Sequence, residues 1–378
     1  MAEKVTEKNS GVTYQQVLTN SATHGIVRQS EYFDRIVAGK NHLDAYYVVT
    51  PNDYVYNPRI SKEAPCGPIN RNTLELTGIA SPLYLVFRVS SQSLAYEFLD
   101  QYFKTANWFN YMKLQGNSGA RSDRFTIADS DFFSMPVRIP SLPEQRRISD
   151  FFSTLDSLIA AAERQEALLR QKKQAYLQLM FPQEGETEPR LRFAGFSGEW
   201  EQRQLGEVTV ERTDRSADGE LLSVSMSRGV YPASLSDRKD NSSADKSNYK
   251  RLAAGDIVYN SMRMWQGACG LSPYDGIVSP AYTVVAPSEK IDARYLVDLF
   301  KSTRMLQKFQ RASQGLTSDT WNLKYPAFSK IGCSFPTISE QHRIGSFFST
   351  LDNLIAAAEK RTASLRALKS AYLQRMFV

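Results

Sequence analysis

Three cysteines and three histidines are all that this 378-residue chain contains of either type. Three cysteines cannot build a disulfide framework, which points to a reducing compartment. His24, His42 and His342 form no metal-spaced pair with cysteine or with one another, so no metal site is expected. No apolar run approaches the ~18–20 residues that span a bilayer. The opening stretch MAEKVTEKNSGVTYQQ lacks the basic-then-apolar layout of a signal peptide. A soluble, cytoplasmic protein without membrane contact is the expectation. Phosphate-binding signatures are missing as well. Ala38-Gly39-Lys40 has no glycine five residues before Gly39, and no G-x-G-x-x-G follows a strand.

Charge of one sign is also scarce. The net charge is +6, from 46 basic and 40 acidic side chains. Residues 1–142 carry 14 basic and 13 acidic groups, and residues 183–338 carry 20 and 19. No segment is a basic tail. A pI near 9.0 permits a nucleic-acid partner but does not by itself imply one. The 42% hydrophobic content is ordinary for a globular protein, and the length suits two or three domains.

What the chain does have is a duplication. Residues 139–181 and 335–377 match at 27 of 43 positions without a gap, at a constant offset of 196. Upstream the similarity is weaker. Asp53-Tyr-Val-Tyr-Asn57 answers Asp256-Ile-Val-Tyr-Asn260, Cys66-Gly67 answers Cys269-Gly270, and Gly78–Tyr84 answers Gly276–Tyr282. Each unit is therefore a diverged region followed by a closely matching tail. Cys66 and Cys269 read as small core residues rather than nucleophiles. Asn57-Pro58-Arg59, answered by Asn260-Ser261-Met262, reads as a strand-end turn, and no catalytic set is expected.

The tails are predicted to be long helices, over 143–182 and 339–378. Ile148, Phe152, Leu155, Ile159, Ala162, Glu166, Leu169, Lys173, Tyr176 and Met180 alternate spacings of four and three. Ile344, Phe348, Leu351, Ile355, Ala358, Thr362, Leu365, Lys369, Tyr372 and Met376 repeat them. That 3.5-residue period is a coiled-coil seam. Pro143 and Ser339 mark matched helix starts, and Pro182 stops the first. Some 38 residues at 1.5 Å each give a rod of roughly 57 Å. Two copies of one seam favour mutual pairing over packing on separate cores. An antiparallel pair suits an internal pseudo-two-fold repeat, although the pattern alone does not fix direction.

The diverged regions, residues 1–142 and 205–338, read as mainly β with some helix, so the fold class is α+β. Val48-Val49, Tyr54–Tyr56 and Leu83–Val89 are strand-like runs, with counterparts at Ile257–Tyr259 and Tyr282–Val285. Ser93–Met112 and Ala293–Gln310 read as helices. Residues 183–204 form a polar linker and lead-in. Arg192–Glu207 has no counterpart before residue 1, so the first domain lacks an edge element or borrows one.

Two variable regions, each followed by a near-identical helix, resemble the specificity subunit (HsdS) of Type I restriction–modification enzymes. The most specific residues are Pro143-Glu-Gln-Arg-Arg-Ile148, Leu155-Asp156 and Lys172–Pro182, with repeats at Ser339–Ile344 and Lys369–Phe377. Arg192-Phe-Ala-Gly-Phe196, Trp200-Glu201 and Leu205-Gly206 also resemble the family's lead-in to its second recognition domain. The resemblance implies a non-catalytic subunit in which each recognition domain reads one half of a split sequence in double-stranded DNA. It implies that the paired helices set the spacer and dock two methyltransferase subunits, with two restriction–translocase subunits able to join. AdoMet, ATP and Mg²⁺ would then sit on those partners, and none on this chain. Half-sites one helical turn apart lie roughly 34–36 Å from each other, within reach of the rod.

Candidate DNA contacts lie where the copies differ. In the first domain they are Arg59, Lys62, Arg71 and Asn72, then Asn117, Ser118, Arg121 and Arg124. In the second they are Arg263, Trp265 and Gln266, then Thr317, Ser318, Thr320, Trp321 and Asn322. Arg228, Arg238, Lys239 and Lys246 are candidates for phosphate. Arg and Lys suit guanine edges or phosphate, and Asn and Gln suit adenine. Trp265 and Trp321 read equally well as core aromatics. The rival reading is a protein-interaction scaffold built on the coiled coil, which the near-neutral domains keep open.

Overall fold

The repeated tails form two long helices, Leu142–Leu179 and Ile338–Met376, as their period predicts. They belong to a computed structural model that describes residues 1–33, 40–118, 123–226, 228–236 and 242–377. The chain divides into two compact units, residues 1–162 with 361–378, and residues 163–360. Each unit thus holds one half of each helix.

Within each unit the half-helices pack antiparallel. In the first, Lys369 bonds Asp156 at 2.5 Å and the Phe151 and Tyr372 rings lie 4.9 Å apart. In the second, Lys173 bonds Asp352 at 2.5 Å and Tyr176 meets Phe347 at 5.0 Å. Rising numbers on one helix meet falling numbers on the other. The two seam lysines, Lys173 and Lys369, are satisfied by the facing helix, and they are satisfied alike in both units.

Ile148, Phe152, Leu155, Ile344, Phe348, Leu351 and Ile355 are buried, and Ile159, Leu169, Tyr176 and Leu365 are half-buried. Tyr372 keeps its contact with Phe151 of the facing helix but sits at the rim of the seam, at 38% exposure, while Leu373 and Phe377 turn inward. A 3.6-residue helix drifts ~20° per heptad from a 3.5-residue repeat. Four heptads after Ile344 the drift reaches about 80°, close to one residue's rotation, so the inward position moves to the next residue.

The first unit contains an antiparallel sheet in the order Ala2–Lys4, Leu85–Val89, Tyr54–Tyr56, Ile69–Arg71. The second repeats it as Thr209–Glu211, Tyr282–Pro287, Ile257–Asn260, Cys269–Leu271. Alternation along the central strand sends Tyr54 and Tyr56 into an aromatic core with Phe87, Phe98 and Trp108. Val55 and Val86 face the opposite way, into a smaller core with Leu18 and Ile26. Val258 and Val284 do the same in the second unit, with Leu222 and Val230. Cover on both faces is why Tyr54–Tyr56 is buried throughout. The smaller core is closed by a four-stranded sheet in the first unit and by two separate two-stranded antiparallel pairs in the second.

Each expected helix following the sheet is two helices, Tyr96–Tyr102 and Asn107–Gln115, then Ala293–Lys301 and Thr303–Ala312. Ser302 adopts extended backbone and its side chain accepts from the Met305 N–H, so it caps a new helix rather than continuing the old one. Cys66, Cys269 and Cys333 are buried. Burial pushes the Cys269 and Cys333 thiols up to about 11 and about 12, as expected of core residues. Among the described residues no helix is long and apolar enough to cross a membrane.

Candidate nucleic-acid interface

The loops that differ most between the copies leave the sheets at one matched point. The Asn57 side-chain carbonyl accepts from the Arg59 N–H at 3.0 Å, and that of Asn260 accepts from the Met262 N–H at 3.0 Å. Both are asparagine turns of the kind that ends a strand. A second loop is stitched to each turn. The Phe125 N–H donates to the Pro58 carbonyl at 2.8 Å, and the Leu323 N–H to the Ser261 carbonyl at 2.8 Å. Residues 58–62 with 117–118 and 123–125, and 261–266 with 314–323, are therefore equivalent loop pairs on one scaffold.

In the first unit this stitching sets Arg59 opposite Arg124 in an antiparallel bridge. Its hydrogen bonds run from flanking residues, Ile60 N–H to Asp123 and Phe125 N–H to Pro58. That is the pairing in which facing side chains come closest. Like charges directly opposite are unfavourable, and neither guanidinium has an ion pair among the described residues. Both arginines line a cleft of about 520 Å³ with Thr19, Ser21, Tyr32, Glu63 and Tyr84. Lys62 and Asn117 are exposed. Two guanidiniums facing a polar cleft can hold a phosphate or a guanine edge.

Two expected contacts have structural employment instead. Arg71 is half-buried, bonds Asp100 at 2.7–3.2 Å through Nε and Nη2, donates to Asn52 and lies 5.3 Å over the Tyr96 ring. Asn72 is fully buried, donates to the Thr50 and Leu76 carbonyls and accepts from the Leu74 N–H. Arg71 ends the edge strand, and Asn72 ties down the turn after it. Arg121, Arg238 and Lys239, and the Ser118 side chain, lie outside the described residues.

In the second unit the equivalent loops bring Trp265 and Trp321 edge to face, with centroids 5.1 Å apart. Both are half-buried, and the Trp265 indole N–H donates to the Met262 carbonyl at 3.2 Å. They pack the two loops against each other rather than lying in the main core. Gln266, Thr317, Ser318 and Thr320 are exposed around them, and Arg263 and Asn322 are half-buried. The Thr320 hydroxyl donates to the Thr317 carbonyl and accepts the Thr317 N–H, which pins the loop's shape. Arg228 donates to the Leu235 carbonyl, and Lys246 to that of Ser243. The cleft residues Thr19, Ser21, Tyr32 and Tyr84 were not foreseen, because they are uncharged and lie far in sequence from any basic loop.

Among the described residues no group of three or more His, Cys, Asp or Glu is placed to hold a metal ion. Residues 197–367 match the family model described as the Type I restriction modification DNA specificity domain. The chain is similar in fold to the HsdS subunit from Thermoanaerobacter tengcongensis, with a TM-score of 0.51 and 15% identity over 100% of this chain and 93% of that one. A structure described as the basis of complex assembly and conformational transition of the type I R-M system gives a TM-score of 0.57 and 15% identity, over 99% and 93%. The Type I S subunit from M. genitalium gives 0.51 and 13%, over 87% and 84%. No curated protein sequence matches. The matched model covers the second variable region and most of the helix that follows it, 171 of the chain's 378 residues. Residues 197–367 thus carry a Type I restriction modification DNA specificity domain, and the chain as a whole shares the fold of these S subunits.

Proposed function

We propose that the two units of this specificity subunit read the two halves of a split DNA target, each through its pair of stitched loops. The carrying observation is that equivalent loops, fixed by the same hydrogen bonds to Pro58 and Ser261, present unlike residues. One scaffold with two sets of reading residues suits two different half-sites. In the first unit Arg59 and Arg124 supply charge, with Lys62 and Asn117 beside them. In the second, the Trp265–Trp321 contact holds Arg263, Gln266 and Thr317–Asn322 in place. The paired helices set the spacer and dock methyltransferase subunits, which bring AdoMet, and restriction–translocase subunits bring ATP and Mg²⁺. This chain contributes recognition and assembly, not catalysis.

The deciding experiment is binding of the chain, assembled with a Type I methyltransferase subunit, to duplex DNA across a salt series. A phosphate binder loses affinity steeply, by about 0.9 logarithmic units per phosphate contact for each decade of salt. Binding that is absent, or flat in salt, would instead favour the protein-interaction scaffold.

A further inference from the structure

In the second unit, residues 192–204 cover a surface that is open in the first. Strand Glu201–Gln204 pairs antiparallel with Gly332–Phe335. Trp200 is buried, 6.3 Å from Phe181 and 6.2 Å from Tyr295. Arg192 grips the buried Glu340 carboxylate with two bonds of 2.8 Å. Phe193 packs on Phe347, 5.7 Å away, under the Arg343 guanidinium.

The first unit carries the receiving half of every one of these contacts. The Gln145 side chain accepts from the Ala95 N–H as Gln341 accepts from that of Asp292, which makes Phe98 the counterpart of Tyr295. Phe377 stands for Phe181, Glu144 for Glu340, and Phe151 for Phe347. Residues 136–139 stand for Gly332–Phe335, but they form no strand, and no backbone hydrogen bond closes on Val137 or Ile139 among the described residues. A groove of about 820 Å³ occupies the place of the covering segment, lined by Phe98, Ile139, Glu144, Ile148 and Phe377. Glu144 is exposed and without an ion pair among the described residues, where Glu340 is buried and paired.

We propose that this groove is the docking site for an extended segment of a partner subunit with the chemistry of residues 192–204. The segment adds a strand along residues 136–139, sets an indole against Phe98 and Phe377, and closes a guanidinium on Glu144. Backbone pairing supplies affinity in such strand addition, and the side-chain pockets supply selectivity. The charge of Glu144 selects arginine, whose planar fork fits a carboxylate with two bonds. Residues 192–204 themselves are engaged in the second unit, and the occupant proposed for the first is a partner subunit's segment of the same chemistry. The inference uses the assembly role proposed above only to say that partners exist, and its test needs neither DNA nor methyltransferase.

The probe is a fluorescently labelled synthetic peptide spanning Pro189–Leu205, titrated into the full chain and followed by anisotropy. Saturable one-to-one binding is expected, weakened at least about tenfold by Glu144→Arg in the protein or by Trp200→Ala in the peptide. An Arg192→Glu peptide should regain affinity for the Glu144→Arg protein, which separates a lost contact from a misfolded chain. A photoreactive group replacing Trp200 should label Phe98 or Phe377. Absence of saturable binding, no recovery with the charge-swapped pair, or labelling of the second unit alone would overturn the proposal.

Discussion

Arg59 stands directly opposite Arg124 across an antiparallel bridge, both guanidiniums lining one cleft. Folding alone gives no reason to set two cations there, whereas a bound phosphate or guanine edge would relieve their repulsion. Replacing both with alanine should lower DNA affinity at least about tenfold and reduce the salt slope by about 1.8, if each meets one phosphate. The melting temperature should hold or rise, because the repulsion goes with them. Filter binding and thermal melts of the same variants check the two halves of this expectation.

Arg71 gives the opposite signature. It is 13% exposed against an Asp100 that is 21% exposed, and its removal strands that carboxylate. Arg71→Ala should destabilise the chain by about 1–3 kcal/mol, measured by urea unfolding, without changing the bases recognised.

Asp298 makes stability depend on pH. Burial pushes its carboxyl up to about 7, against the pull of Lys173 and Lys301. The unfolded carboxyl ionises near 3.9, so the folded state holds the proton more tightly between those values. Stability from this group is therefore full below about pH 4, falls as pH rises toward 7 by at most about 1.4 kcal/mol per unit, and is level above. Asp298→Asn should flatten that slope in chemical denaturation at pH 5, 6, 7 and 8. The first unit already holds a neutral amide, Gln101, at the equivalent place.

Reading is expected to be modular. Exchanging Thr317–Asn322 for the corresponding loop of another specificity subunit should change the bases of one half-site and leave the other intact. Methylation assays on a panel of duplexes would show this, and a change in both halves would count against separate readers.

The duplication, both long helices and the central strands were legible because each rests on a local period or on self-similarity. Tyr372 lies at the rim of the seam rather than in it because helical drift accumulates over four heptads, which a fixed period ignores. Arg71 looked free because its partner, Asp100, is 29 residues away on a helix whose packing no local pattern reveals. The Arg59–Arg124 pairing was half legible. Both residues stood out as basic loop positions, but their meeting depends on the bond from Phe125 to Pro58, 67 residues back. The open groove was legible only as a missing counterpart to Arg192–Glu207, and the structure shows which residues that gap leaves uncovered.

The central claim is that one chain reads two separate half-sites, and mapping DNA methylation in cells that express it with a Type I methyltransferase subunit tests this most directly. The account predicts a motif of two short defined blocks, different from each other and separated by a fixed number of unread bases. A single continuous motif would contradict it.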